Sequence, residues 1–120
     1  MATWEVEGTD DFAEWWALLS EAEQKDVAFV VELLAQRGPM LEFPYSSSVT
    51  TSRYSHMREL RAQHRGRPYR VLYAFDPRRT AILLLGGDKT GDDWWYEVNV
   101  PKADAIYGAY LAELKKEGLL

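Results

Sequence analysis

Two apolar runs separated by a short turn constrain the fold of this chain more than any other feature. Residues 69–75 read YRVLYAF, rich in aromatic and β-branched side chains, and residues 80–85 read TAILLL. Between them stands DPRR, in which Asp-Pro favours a turn and proline cannot continue a hydrogen-bonded strand. We therefore predict an antiparallel hairpin of two strands, which Gly86-Gly87 ends.

A pair of helices is predicted ahead of this hairpin. Asp10 and Asp11 are placed to cap the first helix, whose apolar residues recur at helical spacing. Ser20 and Glu23 have the spacing of a capping box, which marks the start of a second helix. Gly38-Pro39 follows the last turn of that helix and is typical of a helix end.

The remaining segments complete the order of elements. Residues 4–6 alternate as a short first strand, residues 39–52 are a loop rich in proline and hydroxyl side chains, and residues 57–62 have a strand pattern. A closing helix is predicted over 101–117, with Pro101 near its start. The order strand, two helices, antiparallel three-stranded meander and C-terminal helix predicts an α+β fold with its helices on one face of the sheet.

Length and composition limit the class of protein. A chain of 120 residues is long enough for one domain, 1–120, with one hydrophobic core. It has no cysteine, which excludes disulfides, thiolate catalysis and cysteine metal sites. The acidic N-terminal stretch lacks the apolar segment of a signal peptide, and the apolar run at 81–85 is too short to span a membrane. We expect a cytoplasmic protein that is not bound to a membrane.

The charge of the chain is distributed unevenly. Residues 53–79 hold eight arginines, no lysine and two acids, which gives this stretch a net charge of +6. Because the whole chain carries −5, the rest carries −11. Arginines on a sheet often serve only solubility, and an exposed ion pair contributes little. Their concentration in an otherwise acidic chain nevertheless indicates a polyanionic partner.

Strand alternation places part of this charge on one surface. On the first strand of the hairpin, the bulky apolar side chains face the helices and Arg70 takes the other face. If Leu60 also faces the helices, Glu59 and Arg61 join Arg70 on the open face. Lys89, just beyond the second strand of the hairpin, reaches the same surface from its end. The sequence therefore predicts an open basic surface with one acid beside it.

These same residues carry a resemblance to a known family. MRELR at 57–61 and GRPYRVLYAFDPRRTAILLLGGDKTG at 66–91 resemble the RelE/HigB toxins of bacterial type II toxin–antitoxin modules. Within the RelE/ParE superfamily, the pattern is similar to that of the phage-derived HigB-like subgroup. The resemblance implies a RelE-like fold over most of the chain.

The resemblance also implies an activity, that of a ribosome-dependent mRNA endonuclease held inactive by an antitoxin. By position in the matching motifs, Arg61, Arg70 and Lys89 are the implied catalytic residues. Glu59 is added as a residue that either orients Arg61 or accepts a proton. No cofactor and no metal ion are implied.

The chemistry of RNA cleavage suits these residue types. The 2′-hydroxyl has to be deprotonated, the phosphorane needs its extra charge stabilised, and the leaving 5′-oxygen needs a proton. Guanidinium groups match phosphate oxygens in two-point contacts, so Arg61 and Arg70 are assigned as phosphate clamps, one of them also donating the proton. The base is either Lys89 or Glu59.

Three further residues are assigned to RNA binding. Arg58 and Arg67 belong to the basic stretch, and Tyr96 is placed to stack on an unpaired base. His56 and His64 lack the further ligands that a metal site requires, so no metal site is predicted.

Two other functions and one partner complete the interpretation. A toxin of the same fold can instead inhibit a protein target such as DNA gyrase, and a non-catalytic module would bind nucleic acid without cutting it. The expected partner is a cognate antitoxin, a HigA-like helix-turn-helix protein. Operator DNA would then be contacted only through the complex with that antitoxin.

Overall fold

A computed structural model describes residues 4–120, and within that range the chain forms one sheet of five strands with three α-helices. The elements in chain order are β1 (Val6–Gly8), α1 (Asp10–Leu18), α2 (Glu21–Arg37), β2 (Ser46–Ser48), β3 (Arg58–His64), β4 (Arg67–Phe75), β5 (Ala81–Asp88) and α3 (Trp95–Lys116). A short 3₁₀ turn, Gly38–Met40, follows α2. This architecture confirms the predicted α+β class and is that of a RelE-like fold.

The sheet is built around the predicted hairpin. Its strand order is β1-β5-β4-β3-β2, with β1 parallel to β5 and every other neighbouring pair antiparallel. The meander β3–β4–β5 is confirmed, and the Asp76–Arg79 turn closes through a hydrogen bond from the Arg79 amide to the Asp76 carbonyl (2.8 Å). The sheet thus presents β3 and β4 near its centre, where the basic residues lie.

The helices cover both faces of the sheet, and the prediction that they share one face is wrong. Helices α1 and α2 pack on the face that carries Tyr69, Val71 and Tyr73. Helix α3 packs on the opposite face, over Leu72 and Ala74. Both faces of the central strands are apolar there, so each needs a cover to remove its side chains from water.

Strand β5 continues through the two glycines that were expected to end it. A Cβ at Gly86 would lie 2.3 Å from the ring of Trp15, and a Cβ at Gly87 would lie 2.6 Å from the ring of Trp95. These glycines therefore admit an indole against each face of the strand, which extends to Asp88. A glycine pair in a sequence can indicate the end of a strand, but here the two glycines allow close packing inside the strand.

The helix ends agree with the sequence in part. The capping box of Ser20 and Glu23 is confirmed, with both reciprocal hydrogen bonds present. Helix α1 is capped by the Thr9 side chain, and Asp10 and Asp11 lie inside its first turn, where their charges favour the helix dipole. Helix α3 begins six residues earlier than predicted, so that Pro101 lies within it.

One strand was missed by the sequence analysis. Residues Ser46–Ser48 pair with Arg58–Leu60 of β3, inside the segment that was predicted to be loop. A run of three serines has no apolar alternation that would indicate a strand. It becomes one because β3 offers it a free edge. The first strand also lies two residues later than predicted, at Val6–Gly8.

Two side-chain contacts fasten α2 to the sheet. The Tyr69 hydroxyl donates to the Glu23 carboxylate, and His64 Nδ1 lies 2.7 Å from Asp26 Oδ2. The hydrogen bond from Tyr69, followed by those from Ser20, lowers the pKa of Glu23 from 4.5 to about 2. Burial, and then the contact with Glu23, raises the pKa of Tyr69 to about 12. None of the described helices is long and apolar enough to cross a membrane.

Substituting Tyr69→Phe is expected to flatten the acid side of the stability curve. In the folded chain the pKa of Glu23 is about 2, below its ordinary 4.5. Its contribution to stability is therefore complete above the ordinary value and is lost as the pH falls through about 2. Without the hydroxyl the largest cause of this shift is gone, so less stability remains to be lost. Urea unfolding between pH 6 and pH 2 measures the difference.

The matched control for this experiment is Tyr45→Phe. The Tyr45 hydroxyl makes no hydrogen bond with any described residue, so its loss should leave the acid dependence of the wild type unchanged. Parallel acid curves for Tyr69→Phe and the wild type would show that the Glu23 contact does not contribute to pH-dependent stability.

Candidate functional site

A buried carboxylate near the start of β3 organises the candidate site. Glu59 is only 5% exposed, and one of its oxygens accepts a hydrogen bond from the Ser47 hydroxyl (2.7 Å). The other oxygen accepts one from the Tyr96 hydroxyl (2.7 Å). Arg61 Nη1 donates to the first oxygen at 3.3 Å, and Arg70 Nε lies 3.5 Å from the second. We call these five residues the Glu59 cluster.

The two arginines of the Glu59 cluster face each other across neighbouring strands. Arg61 pairs with Arg70 in the antiparallel register of β3 and β4. Like charges opposite one another destabilise a sheet, and the Glu59 carboxylate between them offsets the repulsion. The predicted placement of Glu59, Arg61 and Arg70 on one surface therefore agrees with the structure.

The two arginines differ in how far they are buried. Arg70 is 3% exposed, its Nη1 donates to the Tyr69 carbonyl (3.0 Å), and its Nε has no hydrogen-bond partner among the described residues. The Arg61 side chain is 26% exposed, and its guanidinium lies 5.0 Å from the centre of the Phe43 ring. Only Arg61 therefore presents its guanidinium to solvent.

The first turn of α3 covers the buried arginine. Gly87 lies opposite Arg70 in the sheet, and the Trp95 ring packs directly on that glycine. Tyr96 follows in the same turn and bonds to Glu59. The expected open surface is therefore closed over Arg70, because α3 begins at Trp95 and its first turn reaches this part of the sheet.

Tyr96 remains protonated in this environment. Burial, and then the hydrogen bond to the Glu59 carboxylate, raises the pKa of Tyr96 above its ordinary value of 10.0. Lys89 borders the same ring, with its Nζ 5.6 Å from the ring centre. The structure thus joins Lys89 to the Glu59 cluster through Tyr96, at the end of β5.

Two of the residues assigned to RNA binding lie elsewhere. Arg58 donates to the hydroxyls of Ser46 and Ser48, both at 3.0 Å, on the opposite face of β3 from Glu59. Arg67 pairs with Asp88 at 3.2 Å and lies 3.8 Å from Glu23. The structure does not bring these two arginines to the Glu59 cluster.

Sequence reasoning missed two contributors to the site. Ser47 belongs to the unpredicted β2, and nothing in a serine-rich stretch singles out one of its hydroxyls. Phe43 lies in the loop before β2, yet 69% of it is exposed beside Arg61. An aromatic next to a proline in a predicted loop was the available signal for Phe43.

The hollow beside the Glu59 cluster has both polar and apolar lining, and the described residues around it form no metal site. This hollow of about 320 Å³ borders Glu59 and Tyr96 and is lined on its other side by residues 48–51. Across residues 4–120, no group of three or more histidine or carboxylate side chains is arranged to hold a metal ion. The chemistry that Arg61 of the cluster and the neighbouring Lys89 can provide is charge stabilisation.

Comparison with known proteins assigns the chain to a family. A family model described as phage-derived protein Gp49-like matches residues 14–108, which include the whole Glu59 cluster and Lys89. The chain belongs to this Gp49-like family. The match extends from α1 into α3 and therefore covers most of the described fold.

Two relatives from Mycobacterium tuberculosis (strain ATCC 25618 / H37Rv) agree with the Gp49-like assignment. One, provisionally named toxin HigB3, is 44% identical over 100 residues, covering 82% of this chain and 85% of HigB3. The other, provisionally named toxin HigB2, is 40% identical over 88 residues, covering 71% of this chain and 43% of HigB2. No solved structure matches the chain. These relatives confirm the HigB-like resemblance seen in the sequence.

Proposed function

We propose that this chain is the toxin of a type II toxin–antitoxin module and acts as a ribosome-dependent mRNA endonuclease. The observation that carries the proposal is the Glu59 cluster, in which one buried carboxylate contacts two arginines and a tyrosine, with Lys89 beside that tyrosine at the end of β5. Membership of the Gp49-like family and relatives named as HigB toxins support the same conclusion.

In this proposal the RNA supplies its own nucleophile. The 2′-hydroxyl gives up its proton and attacks the adjacent phosphorus; the bond to the 5′-oxygen breaks and that oxygen takes up a proton, which gives a cyclic phosphate and a free 5′-hydroxyl. Arg61 is the partly exposed guanidinium of the cluster, so it contacts the phosphate oxygens and stabilises the charge of the phosphorane. Lys89 adds a second positive charge from the end of β5.

The buried members of the cluster position the exposed ones. Both oxygens of Glu59 already accept hydrogen bonds, which favours holding Arg61 over accepting a proton from the substrate. The buried Arg70 balances the charge of Glu59. For Arg70 to act as a phosphate clamp, the first turn of α3 would have to move away from it. Tyr96, whose ring lies beside the Lys89 ammonium, is the aromatic residue assigned to contact with RNA.

The remaining roles follow from the type of module. A cognate helix-turn-helix antitoxin would bind the chain, keep it inactive in the cytoplasm and carry the complex to operator DNA. The acidic background of the chain, −11 outside residues 53–79, would limit its binding to free nucleic acid. The ribosome would then present mRNA to the small basic site.

Induced expression without antitoxin tests this function. We expect growth arrest, together with new mRNA 5′ ends inside translated codons when these are mapped by primer extension. A reporter mRNA that lacks its ribosome-binding site serves as the matched control. Because the proposal makes cutting depend on translation, the control transcript should stay intact in the same cells.

Three results would contradict the proposal in different ways. Equal cutting of the untranslated reporter would exclude dependence on the ribosome. Growth arrest with intact mRNA and loss of DNA supercoiling would indicate a protein target such as gyrase. Normal growth with intact mRNA, in cells that contain the folded protein, would indicate a module that binds nucleic acid without cutting it.

A further inference from the structure

A second hollow lies beside Arg61, on the side away from Tyr96. It has a volume of about 300 Å³ and is open to solvent. Helix α2, the loop before β2, and the end of β3 form its walls. The residues that line it include Asp26, Phe29, Pro44, Tyr45, Arg61 and Gln63. Its volume falls at the lower end of the range that holds small ligands.

Two exposed phenylalanines lie at or near the hollow. Phe29 is 57% exposed and meets the Tyr45 ring edge to face, with the ring centres 6.2 Å apart. Phe43, 69% exposed, precedes the lining residue Pro44 and lies against the guanidinium of Arg61, which also lines the hollow. Leaving two phenylalanines in water is unfavourable, so their position beside a charged group calls for a partner.

The polar groups of the hollow differ from those of an ordinary apolar groove. The Gln63 side chain is exposed, and its side-chain amide makes no hydrogen bond with any described residue. Asp26 uses one carboxylate oxygen for His64, which leaves the other oxygen free to accept. Arg61 supplies donors at the border shared with the Glu59 cluster. Donors and acceptors thus stand beside flat apolar surfaces.

This combination matches the chemistry of a single unpaired nucleobase. Proteins hold such bases by stacking on aromatic rings and by hydrogen bonds to the base edge, with a cation on the neighbouring phosphate. Building on the proposed endonuclease function, we propose that the hollow formed by Phe29, Tyr45 and Gln63 binds one base of the RNA next to the phosphate held by Arg61. Gln63 and Asp26 then select which base is accepted.

A protein segment is the competing occupant of this surface. Exposed phenylalanines and an arginine also occur at the centres of protein interfaces. The base is favoured because the hollow holds only about 300 Å³ and because its polar groups adjoin the cluster assigned to the phosphate. An antitoxin segment is therefore treated as an outcome of the experiment.

The kinetic experiment compares Phe29→Ala, Phe29→Trp and Gln63→Ala with the wild type in a reconstituted translation reaction. None of these changes removes a member of the Glu59 cluster. We expect Phe29→Ala to raise KM about 10-fold with kcat kept, since stacking of a base contributes in this range. Phe29→Trp should restore KM, and Gln63→Ala should weaken the base preference at mapped cleavage sites. Met40→Ala, an exposed apolar residue outside the hollow, is the control.

A binding measurement separates failure of this inference from failure of the proposed function. Single-stranded RNA trinucleotides are titrated into the whole protein, and NMR shifts of the Phe29 and Gln63 signals are followed. Shifts that Gln63→Ala reduces support the hollow even if the protein cuts no mRNA, in which case only the proposed function fails. Normal cutting, base preference and RNA binding in both alanine variants overturn the inference. If the two alanine variants keep normal cutting, base preference and RNA binding but lose binding to the antitoxin, the surface is a binding site for the antitoxin.

Discussion

Replacing Arg61 by alanine is expected to reduce mRNA cleavage about 10²–10³-fold while the protein stays folded. Among the two arginines held by Glu59, only Arg61 has a guanidinium that reaches solvent. Its loss removes the group assigned to the phosphorane charge, which develops only in the transition state. The rate constant for cleavage of a programmed ribosome complex, measured at saturating protein, reports the effect directly.

Two further variants make the Arg61 experiment specific. Arg58→Ala removes an arginine from the same strand but from its opposite face, so cleavage should remain close to that of the wild type. Arg61→Lys keeps the charge and loses the two-point geometry of the guanidinium, and an intermediate rate is expected. An equal loss of cleavage in Arg58→Ala would point to total positive charge as the cause, against the assignment of Arg61.

Replacing Glu59 by alanine is expected to lower the free energy of unfolding by about 3–5 kcal/mol. The substitution leaves Arg70 at 3% exposure without its counter-ion, and an unpaired buried charge is among the most costly defects in a fold. It also frees the hydroxyls of Ser47 and Tyr96, which lose their shared acceptor. Urea unfolding followed by tryptophan fluorescence measures the loss.

A double variant distinguishes an unpaired charge from a simple loss of packing. When Glu59→Leu is combined with Arg70→Met, both charges of this buried pair are removed and the volume is kept by apolar side chains, so most of the lost stability should return. Cleavage should stay low, because Arg61 no longer has a carboxylate to hold it. If Arg70→Met brings no recovery over Glu59→Leu alone, the unpaired arginine is not the source of the instability.

Much of the fold follows from local patterns in the sequence. The YRVLYAF and TAILLL runs around Asp-Pro predict the hairpin, and Ser20 with Glu23 predicts the start of α2. Both depend on interactions between residues close in sequence, which a pattern records. Alternation on the strand likewise predicts that Glu59 and Arg61 share a face, and the contact at 3.3 Å agrees.

Other features depend on segments that are distant in sequence. Strand β2 exists because three serines meet the free edge of β3. Strand β5 continues beyond Gly86 and Gly87 because indole rings fill the space beside these glycines. The placement of α3 on the second face follows from Leu72 and Ala74 needing cover. No local pattern in these segments carries that information.

The sequence by itself determined the α+β class, the hairpin, the HigB-like resemblance and the set of charged residues that meet on one strand face. Only the tertiary structure decided that Arg70 is buried, that Arg61 is accessible and that Tyr96 shares the carboxylate of Glu59. The physical reason is that alternation fixes the direction of a side chain, whereas its exposure depends on what packs above it. Here that element is the first turn of α3, which begins 25 residues after Arg70 in the chain.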